Sequence, residues 1–311
     1  MPVTHLSQIV EEACRLGPVK VSVAAADDVH TLEAIKLGTE AGLISQAYLI
    51  GDVGRIVAAA GSLGLDLSSH QVVEAADDET ASRLATEQAY GGDAALVMKG
   101  SLPTACLLRT VLAAERARPM EGQVKHLLSH VAVIEVPTYH KLLLVTDAGM
   151  VIAPTLEEKV QMIENAWKVA KALGLVEPKV AVIAAVETVN PKMPATVEAR
   201  QLKEMAQAGR FPGLVVDGPL ALDIALSAES ARYKGVESPV AGDTDIFLVP
   251  TIEVGNVLGK ALLYLAHGKM AGIVAGASVP IPLTSRSETA EGKLHSIALA
   301  ILYTRVTRPG A

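Results

Sequence analysis

Near the end of the chain, an apolar run from Ala271 to Ala277 leads through Pro280 and Pro282 into Thr284-Ser285-Arg286-Ser287-Glu288. A buried strand there would deliver a hydroxyl, a guanidinium and a helix start to one point. Such a point suits a phosphate-like anion, because a helix N-terminus offers unpaired N–H groups and partial positive charge, and Arg adds a planar fork of donors. The carboxylates of Glu288 and Glu291 lie just beyond, so the same loop has the means to move a proton.

Other polar clusters follow apolar runs. Lys99-Gly100-Ser101 comes after Ala94–Met98, with Pro103 suited to the first position of a helix that carries Arg109. Glu187-Thr188-Val189-Asn190-Pro191 follows Val180–Ala184, and Asp217-Gly218-Pro219 follows Leu214–Val216. Taken singly, each has an ordinary explanation: a Lys stem lying along a strand end, a surface Arg, or turns made by Asx and Gly-Pro sequences. Gly242-Asp243-Thr244-Asp245 offers two carboxylates to a hard cation, but no acidic loop completes the ligand set, and no metal is expected. His126, His130 and His140 invite a zinc reading, but with a strand over Leu127–Val136, His130 has no helical i,i+4 partner in His126, so a zinc site is not expected either. Cys106, among Ala105, Leu107 and Leu108, reads as a buried structural thiol.

The elements that must position these groups alternate. Strands are expected at 19–25, 46–50, 72–75, 94–98, 127–136, 141–145, 180–184, 214–216 and 246–249. Helices are expected at 28–41, 53–62, 79–89, 103–114, 157–172, 195–207, 220–233, 254–267 and 289–303. Short β-rich runs alternating with longer amphipathic ones predict βαβ units and parallel sheets. The connection Pro137–His140 is too short for a crossover, so the strands around it are expected to be antiparallel. In a doubly wound sheet the ligand lies outside the carboxyl ends of the strands, where these polar clusters fall.

A chain of 311 residues exceeds what one core usually supports, which predicts two domains. The polar, Pro- and Gly-bearing stretch Arg116–Lys125 is the expected crossing, giving a first domain of 1–120 plus 272–311 and a second of 121–271. Half of the residues are hydrophobic but only 3% are aromatic, so the core must be built from Ala, Val, Ile and Leu. A net charge of -7 without a basic cluster argues against nucleic acid and against an anionic membrane surface. Two cysteines and an N-terminus without a signal-peptide pattern predict a reducing, cytoplasmic setting. No G-x-x-x-x-G-K-S/T, no G-x-G-x-x-G after the first strand and no G-x-S-x-G is present.

Together the loops resemble a known family. Lys99-Gly100 with Arg109, S-H-V-A-V-I-E-V-P-T-Y-H-K from Ser129, A-V-E-T-V-N-P-K-M-P from Ala185, V-D-G-P-L-A from Val216, S-P-V-A-G-D-T-D from Ser238 and L-T-S-R from Leu283 are similar to the phosphate acetyl/butyryltransferases. The wording is nearer to the butyryltransferase branch, and to the transferase half of enoyl-CoA hydratase fusions, than to acetyltransferases. The resemblance implies an α/β fold of two parallel-sheet domains with an interdomain cleft, like that of isocitrate and isopropylmalate dehydrogenases, and a homodimer. It implies transfer of an acyl group between acyl-CoA and inorganic phosphate, giving acyl phosphate and CoA, with no tightly bound cofactor.

By the same resemblance Ser285 and Arg286 are the active-site pair, and Arg109 binds the phosphate or CoA side. Lys99, Gly100, Glu187, Asn190, Asp217, Gly218 and Asn256 complete the candidate substrate-binding set. The acetyltransferases carry an Asp as catalytic base seven residues after the Ser, where this chain has Gly292, and the adjacent Glu291 is the expected substitute. Two competing readings are an NAD-dependent dehydrogenase of the same fold, disfavoured by the missing nucleotide fingerprint, and a non-catalytic acyl-CoA or acyl-phosphate binder.

Overall fold

A computed structural model describes residues 2–117, 127–284 and 288–307. The expected Ser285–Arg286 pair and most of the Arg116–Lys125 crossing lie outside the described residues.

In chain order, helix α1 (Leu6–Cys14) leads into strand β1 (Val19–Ala24), α2 (Val29–Glu40), β2 (Ile44–Gly51), α3 (Val53–Leu63), β3 (Gln71–Glu74), α4 (Asp78–Tyr90), β4 (Leu96–Lys99) and α5 (Thr104–Ala117). Then come β5 (Ser129–Glu135), β6 (Leu143–Thr146), α6 (Leu156–Ala172), β7 (Lys179–Ile183), α7 (Pro194–Gln207) and β8 (Val215–Leu220). Two short helices, α8 (Leu222–Leu226) and α9 (Ala228–Tyr233), precede β9 (Ile246–Leu248), α10 (Ile252–Tyr264), β10 (Lys269–Ala275), β11 (Ile281–Pro282) and α11 (Ala290–Thr307).

The chain divides into two compact units, one of Ser7–His126 and Ala271–Ala311, the other of Met1–Leu6 and Leu127–Met270. In the first unit, four parallel strands lie in the order β3-β2-β1-β4. Their apolar side chains are buried, as a sheet covered by helices on both faces requires, with Val21, Val23, Leu49, Ile50, Leu96 and Val97 all fully excluded from solvent. Asp28, Asp52 and Asp77 cap α2, α3 and α4 by accepting a backbone N–H at the third helical position. β10 and β11 form a short antiparallel pair, and α11 packs on α2. The middle of α11, from Ile297 to Tyr303, is buried all round.

In the second unit the strand order is β5-β6-β9-β7-β8, with β5 antiparallel to β6 and the remaining pairs parallel. The antiparallel β5–β6 pair is the one that the short Pro137–His140 connection predicts. Thr155 and Glu158 form a reciprocal capping box at the start of α6.

The structure departs from the sequence reading in four elements. α1 and β11 lie outside the expected elements: β11 has only two residues, whereas Leu6, Ile9 and Ala13 of α1 do recur at helical spacing and are buried, a signal present in the sequence. The helix expected over 220–233 is broken at Ser227, whose extended backbone ends α8 while its hydroxyl accepts Ser230 N and starts α9. β8 runs on through Asp217-Gly218-Pro219 to Leu220, which pairs with Ile183, so this segment is strand where a turn was expected.

Candidate active site

In the first unit, the crossovers from β1 to β3 run to one side of β1, and the return to β4 places that strand on the other side. The carboxyl ends of β1 and β4 therefore flank a topological switch point, the usual ligand crevice of a doubly wound sheet. A cavity of about 240 Å³ lies there, lined by the start of α2, the loop after β4, Pro282, Thr284 and two residues of α11, Lys293 and Ser296.

The floor of the cavity depends on Gly100. Its N–H donates to Ala24 O at 2.7 Å and Ser101 N donates to Ala25 O at 3.0 Å, drawing the ends of β1 and β4 together. A β-carbon at position 100 would sit 2.0 Å from Ala25 O, so only Gly permits this approach. Lys99 is buried, and its ammonium donates to Gly100 O at 3.0 Å and Leu102 O at 3.2 Å. Lys99, a candidate for substrate binding, thus also braces its own loop.

Asp28 uses Oδ1 to accept Thr31 N at 2.9 Å, while Oδ2 is buried and makes no hydrogen bond. Thr31 is fully buried, and its hydroxyl likewise makes no hydrogen bond. Both residues line the cavity. The sequence reading passed over them because Asp28 reads as a helix cap and Thr31 as an ordinary helix residue.

Opposite them, Lys293 is only 7% exposed and donates to Glu288 O at 3.0 Å. Burial pushes its ammonium below the ordinary lysine range, and the charges of Asp28 and Glu288 pull it back up. The start of α11 is fastened by Thr289, whose hydroxyl accepts Gly292 N at 3.1 Å. Ser296 donates to Gly292 O at 2.8 Å and accepts Gly272 N at 2.9 Å, which ties this helix to β10. Glu288 is half-buried and folds over Gly292, its Oε1 accepting Thr289 N at 3.1 Å. Glu291 is exposed and does not line the cavity. Arg109 is also exposed on α5 and outside the lining. The structure therefore gathers Lys99, Gly100 and Thr284 but not Glu291 or Arg109.

The remaining candidates belong to the second unit. Asn190 is engaged locally, with Oδ1 accepting Lys192 N at 2.9 Å and its N–H donating to Thr196 Oγ1 at 2.9 Å. Asp217 is buried, paired with Lys203 at 2.6 Å and accepting Gly218 N at 2.8 Å. Glu187 is half-buried beyond the end of β7. Asn256, exposed on α10, reaches the end of β6 through a 3.1 Å bond from Nδ2 to Ala148 O. Asp147, which the sequence reading did not select, is buried at that strand end, and its carboxylate accepts His130 N, Gly149 N and Met150 N at 2.7–2.8 Å.

Asp243 and Asp245, weighed above as cation ligands, are instead held by lysines. Lys141 bridges both carboxylates and Lys179 reaches Asp243 at 2.7 Å. These cations hold the Asp243 carboxyl well below the usual range against the opposing effect of its burial. Among the described residues no group of three or more His, Cys, Asp or Glu is arranged to hold a metal ion.

A parallel-sheet unit with an anion-suited cavity at its switch point, followed by a second α/β unit, defines a dehydrogenase-like α/β enzyme fold that serves several chemistries. The comparisons narrow it. The family model described as phosphate acetyl/butaryl transferase matches residues 79–301. The chain is 45% identical over 283 residues to a phosphate butyryltransferase of Clostridium acetobutylicum, covering 91% of this chain and 92% of that one. It is 41% identical over 298 residues to a phosphate acetyltransferase of Thermotoga maritima, covering 96% and 99% of the two chains. A crystal structure of a branched-chain phosphotransacylase from Enterococcus faecalis superposes with a TM-score of 0.78 at 34% identity, covering 92% of this chain and 98% of that one. The chain belongs to the phosphate acetyl/butyryltransferase family.

Proposed function

We propose that the protein transfers a short acyl group between CoA and inorganic phosphate, interconverting acyl-CoA plus phosphate with acyl phosphate plus CoA. Family membership over most of the chain carries this reading. It is supported by a cavity at a sheet switch point that gathers a buried ammonium, unpaired hydroxyl and carboxylate oxygens, and Thr284, the residue that precedes Ser285 in sequence.

Arg286, with Arg109, neutralises the phosphate, whose charge grows as the acyl phosphate leaves, and Ser285 donates to the developing oxyanion. CoA is the acyl carrier, and its thiol, with a pKa of about 8.5, is mostly protonated at neutral pH. A carboxylate at the entry to α11 takes that proton, a step that typically contributes about 10² to 10⁴ in rate. Both substrates bind together and the acyl group passes directly, without a covalent enzyme intermediate. Lys99, Gly100, Glu187, Asn190, Asp217, Gly218 and Asn256 serve substrate binding. No tightly bound cofactor is needed. The setting is cytoplasmic, in keeping with two free cysteines and the lack of any described helix long and apolar enough to cross a membrane.

The enzyme acts as a homodimer, and α10 is the face that joins the copies. Only Gly255 and Gly259 of that helix are buried, while Val254, Val257, Tyr264 and, just beyond the helix, Leu265 form an exposed apolar stripe at helical spacing.

The test is thiol release from acetyl-, propionyl- and butyryl-CoA with and without phosphate. Phosphate-dependent release is expected, together with loss of most of it in Arg286→Gln. A wild-type protein that binds acyl-CoA but releases no thiol would instead be a non-catalytic binder.

A further inference from the structure

The entry to α11 contains two carboxylates, and their surroundings differ. Glu291 is exposed on the first turn. Glu288 is half-buried and folds back over the helix, so that a β-carbon built on Gly292 would lie 2.6 Å from Glu288 Oε1 and 2.7 Å from its Cδ. The carboxylate of Glu288 therefore occupies the space that any side chain at position 292 would need. Two contacts from Thr289 keep it there, with N donating to Oε1 at 3.1 Å and Oγ1 lying 3.4 Å from the same oxygen, while Lys293 Nζ anchors the main chain beneath it by donating to the backbone carbonyl of Glu288 at 3.0 Å. Lys293 in turn lines the cavity one residue from Gly292, with its charge acting on Glu288 and Asp28.

We propose that Glu288 is the proton acceptor of the transfer, its main chain anchored by Lys293 and its carboxylate seated in the space that Gly292 leaves open. The inference rests on the acyltransferase reading above. In the direction of acyl-CoA formation, the CoA S–H bond breaks and its proton passes to a Glu288 oxygen. The thiolate forms the S–C bond at the acyl carbon while the C–O bond to phosphate breaks with its electron pair on phosphate. The proton then moves from Glu288 to the departing phosphate, which restores the carboxylate. In the other direction Glu288 takes the proton of hydrogen phosphate and returns it to the leaving thiolate. A single carboxylate serves both directions without net proton change.

The experiment compares Glu288→Gln, Glu288→Ala, Glu291→Gln and the double variant Glu288→Ala/Gly292→Asp, using acyl-CoA-dependent thiol release over a range of pH. Glu288→Gln is expected to lower kcat by about 10² or more, to exceed the loss in Glu291→Gln by at least about tenfold, and to remove the acidic limb of the kcat profile. In the double variant the space over residue 292 is freed and a carboxylate is returned to it from the other side. It is expected to regain at least about tenfold of the activity lost in Glu288→Ala alone. A larger loss in Glu291→Gln, or a Glu288→Gln protein with the wild-type pH profile, overturns the assignment. Native circular dichroism in each variant separates lost chemistry from lost folding. A wild-type chain inactive on every acyl-CoA would sink the acyltransferase reading itself, whereas an active wild type with an indifferent Glu288 sinks only this inference.

Discussion

The Glu288 carboxylate lies against the bare Cα of Gly292, nearer than any side chain at 292 would tolerate. Adding one methyl group there is therefore a probe of the carboxylate more than of the fold. Glu288 is half-buried on a flexible stem and can move aside, so Gly292→Ala is expected to change Tm by no more than about 2 °C. The same change is expected to lower kcat about tenfold or more by displacing the proton acceptor. Thermal unfolding and steady-state rates on the same preparation check both halves.

At Gly100 the obstacle is backbone and cannot move cheaply. A methyl group 2.0 Å from Ala25 O can be accommodated only by parting the ends of β1 and β4. Gly100→Ala is expected to cost about 3 kcal/mol in chemical denaturation, and to impair substrate binding because the same two strand ends form the cavity floor.

Asp147 holds three backbone N–H groups with one side chain. Asp147→Ala leaves all three without their acceptor in a buried place, at a cost of about 1 to 3 kcal/mol for each donor that water cannot reach. Asp147→Asn keeps one acceptor oxygen and is expected to lose roughly half as much. Equal stability of the two variants would contradict this account of the β6 end.

His70 gives the fold a dependence on acid. It is buried, and its Nδ1 accepts Ala47 N at 3.1 Å, which requires the neutral ring. Burial lowers its pKa below the ordinary 6.5, and the nearby Asp66 charge only partly opposes that. Between the lowered folded value and 6.5 the unfolded chain binds more protons, so this contribution is complete above 6.5 and is lost as pH falls through the folded pKa. His70→Asn can keep an acceptor for Ala47 N but does not titrate. Its Tm is expected to fall less than that of the wild type between about pH 7.5 and pH 5.

The α10 stripe is tested by charge. Val257 is 68% exposed and Tyr264 69%, so Val257→Asp should leave the folded unit intact and convert a dimer to monomer by analytical ultracentrifugation. A wild type that sediments as a monomer would remove α10 from any role in assembly.

Much of the architecture was legible because strands buried on both faces must be continuous Val, Ile, Leu and Ala runs, as in Val131–Ile134 and Val180–Ala184. β8 was truncated because Asp217-Gly218-Pro219 has the composition of a turn, and nothing local reveals that Lys203 neutralises Asp217 and allows the strand to continue. In the site, Gly100 and Thr284 could be found from their places after strands. Asp28, Thr31 and Lys293 could not, since a capping Asp, a helical Thr and a helical Lys look ordinary until α11 is packed against α2. Glu288 and Glu291 are equivalent as letters. Their difference is that Glu288 precedes α11 and folds back over its first turn while Glu291 points outward from it, which the sequence expresses only as Gly292.

The cavity at the switch point draws on chain segments synthesised far apart in time. Its floor, from Asp28 to Ser101, emerges early, yet the wall from Pro282 to Ser296 follows the whole Leu127–Met270 unit. During synthesis the early segment must wait with its apolar edge uncovered until β10, β11 and α11 arrive, a condition that favours chaperone engagement. A nascent chain therefore cannot present the complete cavity before α11 has left the ribosome.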